Sequence, residues 1–159
     1  MPVYYFTEKG YDKLRHEIEQ TEKILKNDIA KEIATAREHG DLRENAEYEA
    51  AKMKQSSFAA RLSGLQERYA NARVIRKADL PADIVTLGKK VTIQEAGKNN
   101  KITYTILGDG ETDIDKGIIS YQSPLAKALI KHKVGDQVDV QLPKGVKTFK
   151  ILDIDFFDE

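Results

Sequence analysis

The chain has 159 residues and no cysteine, and 26 basic side chains balance 26 acidic ones to give a formal net charge of zero at pH 7. The lack of cysteine excludes disulfides and thiolate metal sites, and no apolar run reaches the roughly 20 residues that a membrane span needs. We therefore expect a cytoplasmic protein with no membrane partner, and the zero charge argues against a protein that coats nucleic acid with its whole surface.

A long helix is the first element that the sequence predicts, beginning after Thr7, a residue type that caps helix N-termini. Apolar or small side chains then recur at steps of three and four residues, which is typical of one face of a helix packed along its length. This stripe consists of Leu14, Ile18, Thr21, Leu25, Ile29, Ile33 and Ala36. Gly40 follows the stripe and is expected to end the helix.

A second helical stripe follows, and residues 7 to 77 contain no proline. Its predicted members are Ala46, Ala50, Met53, Phe58, Leu62, Leu65, Tyr69 and Ala72. Two helices joined by a few residues must lie antiparallel, and arms of about 30 residues would each extend about 45 Å. The sequence therefore predicts a projecting coiled-coil hairpin over residues 1–77, with its tip at 40–45.

The pattern changes after Lys77, where Pro81 and Gly88 interrupt the helical periodicity and short β-rich runs begin. The predicted strands are 91–93, 102–107, 118–121, 138–142 and 149–154. Turn-rich segments make hairpins of the first two and of the last two, and Ser123 with Pro124 begins a short helix over 125–130. We therefore predict an α+β fold, with a small antiparallel β-sheet and one helix forming a C-terminal domain over 78–159.

Charge is unevenly distributed along the chain despite the zero total. Seven basic residues and a single acid, Glu67, lie between Lys52 and Lys77. The sign reverses further on, where the acids are Asp109, Glu111, Asp113 and Asp115.

The segment between the two predicted helices is Gly40-Asp41-Leu42-Arg43-Glu44-Asn45. Asp41 and Glu44 have the spacing of a capping box, in which the two side chains satisfy free amides at the start of a helix. The same carboxylates could share a divalent cation, since Mg²⁺ takes one or two protein carboxylates and keeps its other positions for water and phosphate. Spacing alone favours the cap and leaves both interpretations open.

Three separated segments resemble the Gre-type bacterial transcript cleavage factors, in particular the A-type. They are Phe6–Leu14, Ala36–Lys52 and Ile119–Leu129. They occur in the family's order and at its spacing, and the resemblance covers essentially the whole chain. One position departs from the pattern: family members often carry a proline near the middle of the first helix, where this chain has Lys26 and Asn27.

The resemblance implies a monomeric transcription elongation factor rather than an enzyme, with a C-terminal fold like that of FK506-binding proteins. In this family the coiled coil enters the secondary channel of RNA polymerase and meets the 3′ end of the nascent RNA in a backtracked complex. The tip acids help the polymerase to hold its second Mg²⁺ and to orient the attacking water. By match, Asp41 and Glu44 would hold this Mg²⁺ jointly with the polymerase, and the free protein would not bind it tightly.

The resemblance also implies two contact surfaces. Residues expected to contact RNA are Arg37, Arg43, Asn45, Tyr48 and Lys52. An ordinary solvated helix face is the alternative for each cation, and Tyr48 could cover the hairpin end instead of stacking on a base. Residues expected to bind the rim coiled coil of the polymerase's largest subunit are Ser120, Ser123, Pro124, Leu125 and Ala126. Helix capping and core packing are the alternative roles of this turn.

Three other functions stay open at this point. A Gre-like regulator or inhibitor of the secondary channel would share the fold without stimulating cleavage, but this chain retains both Asp41 and Glu44. A coiled-coil adaptor would use the two acids only as helix caps. A peptidyl-prolyl isomerase would need an aromatic-lined pocket, and the C-terminal half offers few aromatic side chains for one.

Overall fold

The computed structural model describes residues 2–39 and 42–158, without the side chains of residues 39 and 42–45. The chain divides into two compact units, one formed mainly by Tyr11–Ala72 and the other by Val3–Gly10 together with the chain from Arg73 onward. The division differs from the sequence-based boundary at residues 77 and 78. The segment Val3–Gly10 groups with the second unit, where the Ile75 amide donates to the Phe6 carbonyl at 2.8 Å.

Helices form the first unit. The chain runs through α1 (Glu8–Lys23), a π-helical segment (Ile24–Ile29) and α2 (Ala30–His39), and α3 (Leu42–Ala70) follows. Thr7 caps α1 as predicted, since its hydroxyl oxygen accepts the Gly10 amide at 3.1 Å. The π-helical segment was not predicted, and it contains Lys26 and Asn27.

Contacts between the two helical runs show that they are antiparallel, as predicted. Tyr11 stacks on Tyr69 with the ring centroids 4.7 Å apart, whereas Lys54 pairs with Glu32 at 3.0 Å. Early residues of one run thus meet late residues of the other. Among the described residues, no helix is long and apolar enough to cross a membrane.

The packing seam of the hairpin confirms the first predicted stripe and the part of the second from Phe58 to Tyr69, and it corrects the start of the second. All seven members of the first stripe are buried or half-buried. In α3, however, Ala46, Ala50 and Met53 are exposed, Met53 to 75%. The buried and half-buried residues of α3 instead follow alternating steps of three and four: Tyr48, Ala51, Gln55, Phe58, Leu62, Leu65 and Tyr69. A polar residue at seam position 55 concealed this register from a search for apolar side chains.

The second unit is built on a five-stranded sheet. Its strands are β3 (Lys89–Glu95), β4 (Lys101–Leu107), β5 (Ile118–Ser120), β6 (Gln137–Leu142) and β7 (Gly145–Phe156), in the order β5-β4-β3-β7-β6. Both predicted hairpins are confirmed, β3 with β4 and β6 with β7. Two short strands, β1 (Tyr4–Phe6) and β2 (Ala72–Val74), form a separate sheet that was not predicted.

One pairing corrects the expectation of a purely antiparallel sheet. Strand β5 pairs in parallel with β4, with Thr105 opposite Ile118 and Leu107 opposite Ser120. The chain returns to the same end of the sheet through two 3₁₀ turns, Asp109–Glu111 and Ile114–Lys116. Because this crossover contains no long helix, the sequence carried no signal for a parallel pair.

The core of the second unit lies between the sheet and α4 (Pro124–Leu129). Its fully buried members include Val91, Ile93, Ile106 and Leu129. The buried side of α4 must face the sheet. This requirement fixes the position of the turn that precedes the helix.

Candidate functional site

The predicted acidic pair falls at the junction of α2 and α3 in the sequence. Asp41 lies outside the described residues, as does Gly40, while Arg43, Glu44 and Asn45 belong to the first turn of α3 without described side chains. Both the capping interpretation and the metal interpretation therefore stay predictions. Among the described side chains, no group of three or more histidine or acidic residues could hold a metal ion.

Just behind the tip, the structure brings together three of the residues predicted to contact RNA. Arg37 on α2 places its guanidinium carbon 5.7 Å from the ring centroid of Tyr48 on α3, and it donates to the Tyr48 hydroxyl at 3.4 Å. Lys52 lies one helical turn after Tyr48 and donates to Gln55 at 3.2 Å. The hydrogen bond from Arg37 lowers the pKa of Tyr48 below its usual 10.0, and the charge of Lys52 acts in the same direction.

This cluster of Arg37, Tyr48 and Lys52 presents two cations around one aromatic ring. Arg37 and Lys52 are exposed, so they are available to an anionic partner, whereas Tyr48 is half-buried as the first described member of the α3 seam. The guanidinium already lies over the ring. The geometry therefore favours Tyr48 as the residue that covers the end of the hairpin, and the RNA contact of the two cations stays a prediction.

The predicted docking turn is tightly hydrogen-bonded. The Ser123 hydroxyl donates to the Ser120 carbonyl at 2.7 Å and accepts the Ala126 amide at 3.3 Å, which confirms Ser123 as the N-cap of α4. The Ser120 hydroxyl accepts the Gln122 amide at 3.0 Å and donates to the carboxylate of Asp109. These bonds hold the turn in one conformation.

Exposure separates the residues of this turn. Pro124 is exposed and Ser120, Ser123 and Leu125 are half-buried. Ala126 is fully buried in the core, which corrects its assignment to the docking surface because a partner could not contact its side chain. Helix periodicity explains the difference, since position 126 is on the side of α4 that packs against the sheet.

Asp109 is the residue of this site that the sequence prediction missed. Its carboxylate accepts a hydrogen bond from Ser120, which lies eleven positions later in the chain. No short sequence motif contains both residues, so the contact could not be predicted from a motif. The available signal was the acidic segment itself, whose charges had no assigned use.

Comparisons with known proteins agree with this arrangement in both units. A family model described as the N-terminal part of a transcription elongation factor matches residues 4–74, and one described as the C-terminal part of GreA/GreB matches residues 80–156. Transcription elongation factor GreA of Helicobacter pylori (strain Shi470) is 45% identical over 154 residues, with 94% of both chains covered. GreA of Rickettsia canadensis is 41% identical over 150 residues, covering 94% of this chain and 93% of that one.

A solved structure is also similar. GreA factor homolog 1 of Thermus thermophilus matches 97% of this chain and 99% of its own, at 24% identity and a TM-score of 0.45. A similarity at this level supports no inference about activity.

Proposed function

Because the chain belongs to the GreA/GreB family of transcription elongation factors, we propose that it stimulates RNA polymerase to cleave the 3′ end of nascent RNA in backtracked complexes. Membership of this family implies that the chain binds RNA polymerase. In the proposed action the helical hairpin enters the secondary channel, and the hydrolysis takes place in the polymerase's own active site. The single observation that carries the proposal is a family match over both halves of a chain that retains Asp41 and Glu44.

The tip acids are the residues that we assign to the reaction. Asp41 and Glu44 would complete the coordination of a Mg²⁺ ion that the polymerase also holds, and the donor set suits a hard cation that takes few protein carboxylates. When bound, that ion supplies charge stabilisation for the attacking and leaving oxygens. Because α3 begins at Leu42, Glu44 lies in the first helical turn, a position that suits both the metal assignment and the helix cap.

The Arg37–Tyr48–Lys52 cluster would hold the RNA that has left the active site. Two exposed cations near the tip suit the phosphates of a single strand and give contacts without sequence preference. Arg43 and Asn45 are assigned to the same RNA contact from the sequence alone. The exposed and half-buried residues of the docking turn, Ser120, Ser123, Pro124 and Leu125, would bind the rim coiled coil of the largest subunit.

The test is cleavage in a stalled, backtracked elongation complex with Mg²⁺. We expect the wild-type protein to release short 3′ fragments of RNA, and the double variant Asp41→Asn with Glu44→Gln to release none while its affinity for polymerase stays unchanged. Glu49→Gln is the matched control, because Glu49 is an exposed carboxylate on the same helix. If the double variant still cleaves, Asp41 and Glu44 do not hold the Mg²⁺ ion.

The same assay separates the alternatives. A wild-type protein that binds polymerase without releasing fragments would be a regulator or inhibitor of the secondary channel. Asn and Gln can still cap a helix, so the capping role needs a second variant, Asp41→Ala with Glu44→Ala. If that variant keeps cleavage but melts at a lower temperature, the acids only cap α3, since loss of a cap typically costs about 0.5–2 kcal/mol.

A further inference from the structure

Ile114 is the most exposed of the large apolar side chains in the second unit, with 85% of its surface accessible. It begins the 3₁₀ turn Ile114–Lys116, which backbone pairing holds on both sides. Asp113 exchanges two hydrogen bonds with Ile118, at 3.0 and 2.8 Å, and the Gly117 amide donates to the Ile114 carbonyl at 3.0 Å. The exposure is therefore built into a paired segment rather than caused by a loose loop.

The two neighbours of Ile114 in the chain are acidic. The segment from Asp109 to Asp115 contains four acidic residues and no basic one, and the exposed Lys116 follows it. The carboxylates of Asp109 and Glu111 are used within the unit, on Ser120 and Thr7. Among the described residues, neither Asp113 nor Asp115 forms an ion pair. Asp115 is exposed and Asp113 is half-buried, so Asp115 is the more accessible of the two charges.

The acidic turn is continuous with the docking turn. Strand β5 begins at Ile118, four residues after Ile114, and ends at Ser120. The hydrogen bond from Ser120 to Asp109 closes the segment back onto itself. Residues 109–125 thus form one hydrogen-bonded surface element, of which the sequence resemblance had assigned only the second half.

We propose that Ile114, together with Asp113 and Asp115, forms a second anchor for RNA polymerase beside the docking turn. The surface that receives it has an apolar pocket for Ile114 and a basic rim for the two carboxylates. Apolar anchors in a desolvated pocket contribute most to such interfaces, while charges at the rim act mainly on association and on its salt dependence. The inference rests on the proposed function, since the occupant is the polymerase that docks on Ser120–Leu125.

Affinity for the cognate RNA polymerase, measured by fluorescence anisotropy with the labelled 159-residue chain, tests the anchor. We expect Ile114→Ser to weaken binding by at least about tenfold, and Ile114→Leu to restore most of it. Val134→Ser is the matched control, because Val134 is a 57% exposed apolar residue on another turn of the same unit. Asp115→Lys should slow association and make the dissociation constant less sensitive to salt.

Each outcome has one meaning. If Ile114→Ser binds polymerase as tightly as the wild type and the Val134→Ser control do, the anchor is wrong. The proposed function would still stand. Failure of the wild type to bind polymerase would overturn the proposed function as well. If Ile114→Ser changes only self-association in sedimentation, the surface joins two copies of this chain and the anchor is wrong. Unchanged melting temperatures establish that the variants are folded.

Discussion

Glu111 holds Thr7 through both oxygens of its carboxylate, accepting the Thr7 amide at 3.0 Å and also the Thr7 hydroxyl. Thr7 in turn caps α1 by accepting the Gly10 amide. Glu111 shares its 3₁₀ turn with Asp109, which accepts from Ser120. One three-residue turn therefore fixes both the first turn of α1 and the docking turn.

Loss of the Glu111 carboxylate should destabilise the second unit. We expect Glu111→Ala to lower the free energy of unfolding by about 1–3 kcal/mol, because it leaves the Thr7 amide and hydroxyl without their acceptor. Glu111→Gln should lose less, since its amide oxygen can still accept one bond. Urea denaturation measures the difference, with Asp153→Ala, an exposed carboxylate of β7, as the control.

A double-mutant cycle shows whether the effect belongs to this pair. In a Thr7→Val background, which keeps the shape of the side chain and removes the hydroxyl, Glu111→Ala should be less damaging than in the wild type. Strict additivity of the two substitutions would mean that Glu111 does not act through the Thr7 hydroxyl, since the Thr7 amide is still present in Thr7→Val.

Tyr48 gives the tip cluster a signature in alkaline titration. The hydrogen bond from Arg37 lowers its pKa, so Arg37→Ala should raise the Tyr48 pKa toward 10.0. The change is measured as the difference in phenolate absorbance between each protein and the same protein carrying Tyr48→Phe. Lys54→Ala is the control, because Lys54 pairs with Glu32 instead of contacting Tyr48.

The sign of the linkage restricts its effect on stability to high pH. An acid whose pKa is lower in the folded state contributes stability above its unfolded pKa, here near 10.0, and this stability is lost as pH falls through the folded pKa. At neutral pH the Tyr48 hydroxyl is protonated in both states, so loss of this pKa shift in Arg37→Ala should not change the free energy of unfolding there. An unchanged Tyr48 titration in Arg37→Ala would contradict the contact.

Lys89 is a fully buried cation in the second unit. Its ammonium nitrogen lies 4.0 Å from the centroid of the Phe156 ring and donates to the Ala82 carbonyl at 3.3 Å. Burial lowers its pKa from 10.5, while Asp83 and Asp155 act in the opposite direction. Because the unfolded chain binds this proton more tightly, stability should rise with pH between the folded pKa and 10.5.

Substitution separates the charge of Lys89 from its volume. We expect Lys89→Met to change the free energy of unfolding by less than about 1.5 kcal/mol and to remove that rise with pH, since it keeps the volume and removes the charge. Lys89→Ala should lose about 2–5 kcal/mol through the cavity that it leaves. Thermal unfolding across the alkaline range measures both. A Lys89→Met protein as unstable as Lys89→Ala would show that the charge itself holds the site.

Lys89 also marks the limit of sequence reasoning in the sheet. Its position alternates with Val91 and Ile93, so strand periodicity places it on the buried face. Residue type argues the opposite, because lysine is rarely buried, and only the Phe156 ring and the Ala82 carbonyl resolve the conflict. Hairpins were predictable because their signals are local, whereas the parallel β4–β5 pair depends on a crossover without a motif.

The candidate site divides in the same way. Apolar spacing predicted the stripe from Leu14 to Ala36, but it missed the start of the α3 seam because Gln55 stands where an apolar residue was sought. Ser123 was predictable as a cap, and Ala126 was misassigned because resemblance does not report burial. Spacing drew attention to Asp41 and Glu44, but their role at the polymerase came from resemblance, so it is decided by the cleavage assay.

The π-helical segment Ile24–Ile29 makes the two arms of the hairpin unequal in their tolerance of insertions and deletions. Seven seam residues span the distance from Leu14 to Ala36 on the first arm and from Tyr48 to Tyr69 on the second, and the first arm uses one residue more. A wider turn absorbs that extra residue. Loss of one residue within Ile24–Ile29 would leave an uninterrupted α-helix in register, whereas the same loss inside α3 would turn every later side chain away from its partner. The first arm can therefore lose one residue at this segment without losing the seam, whereas α3 cannot.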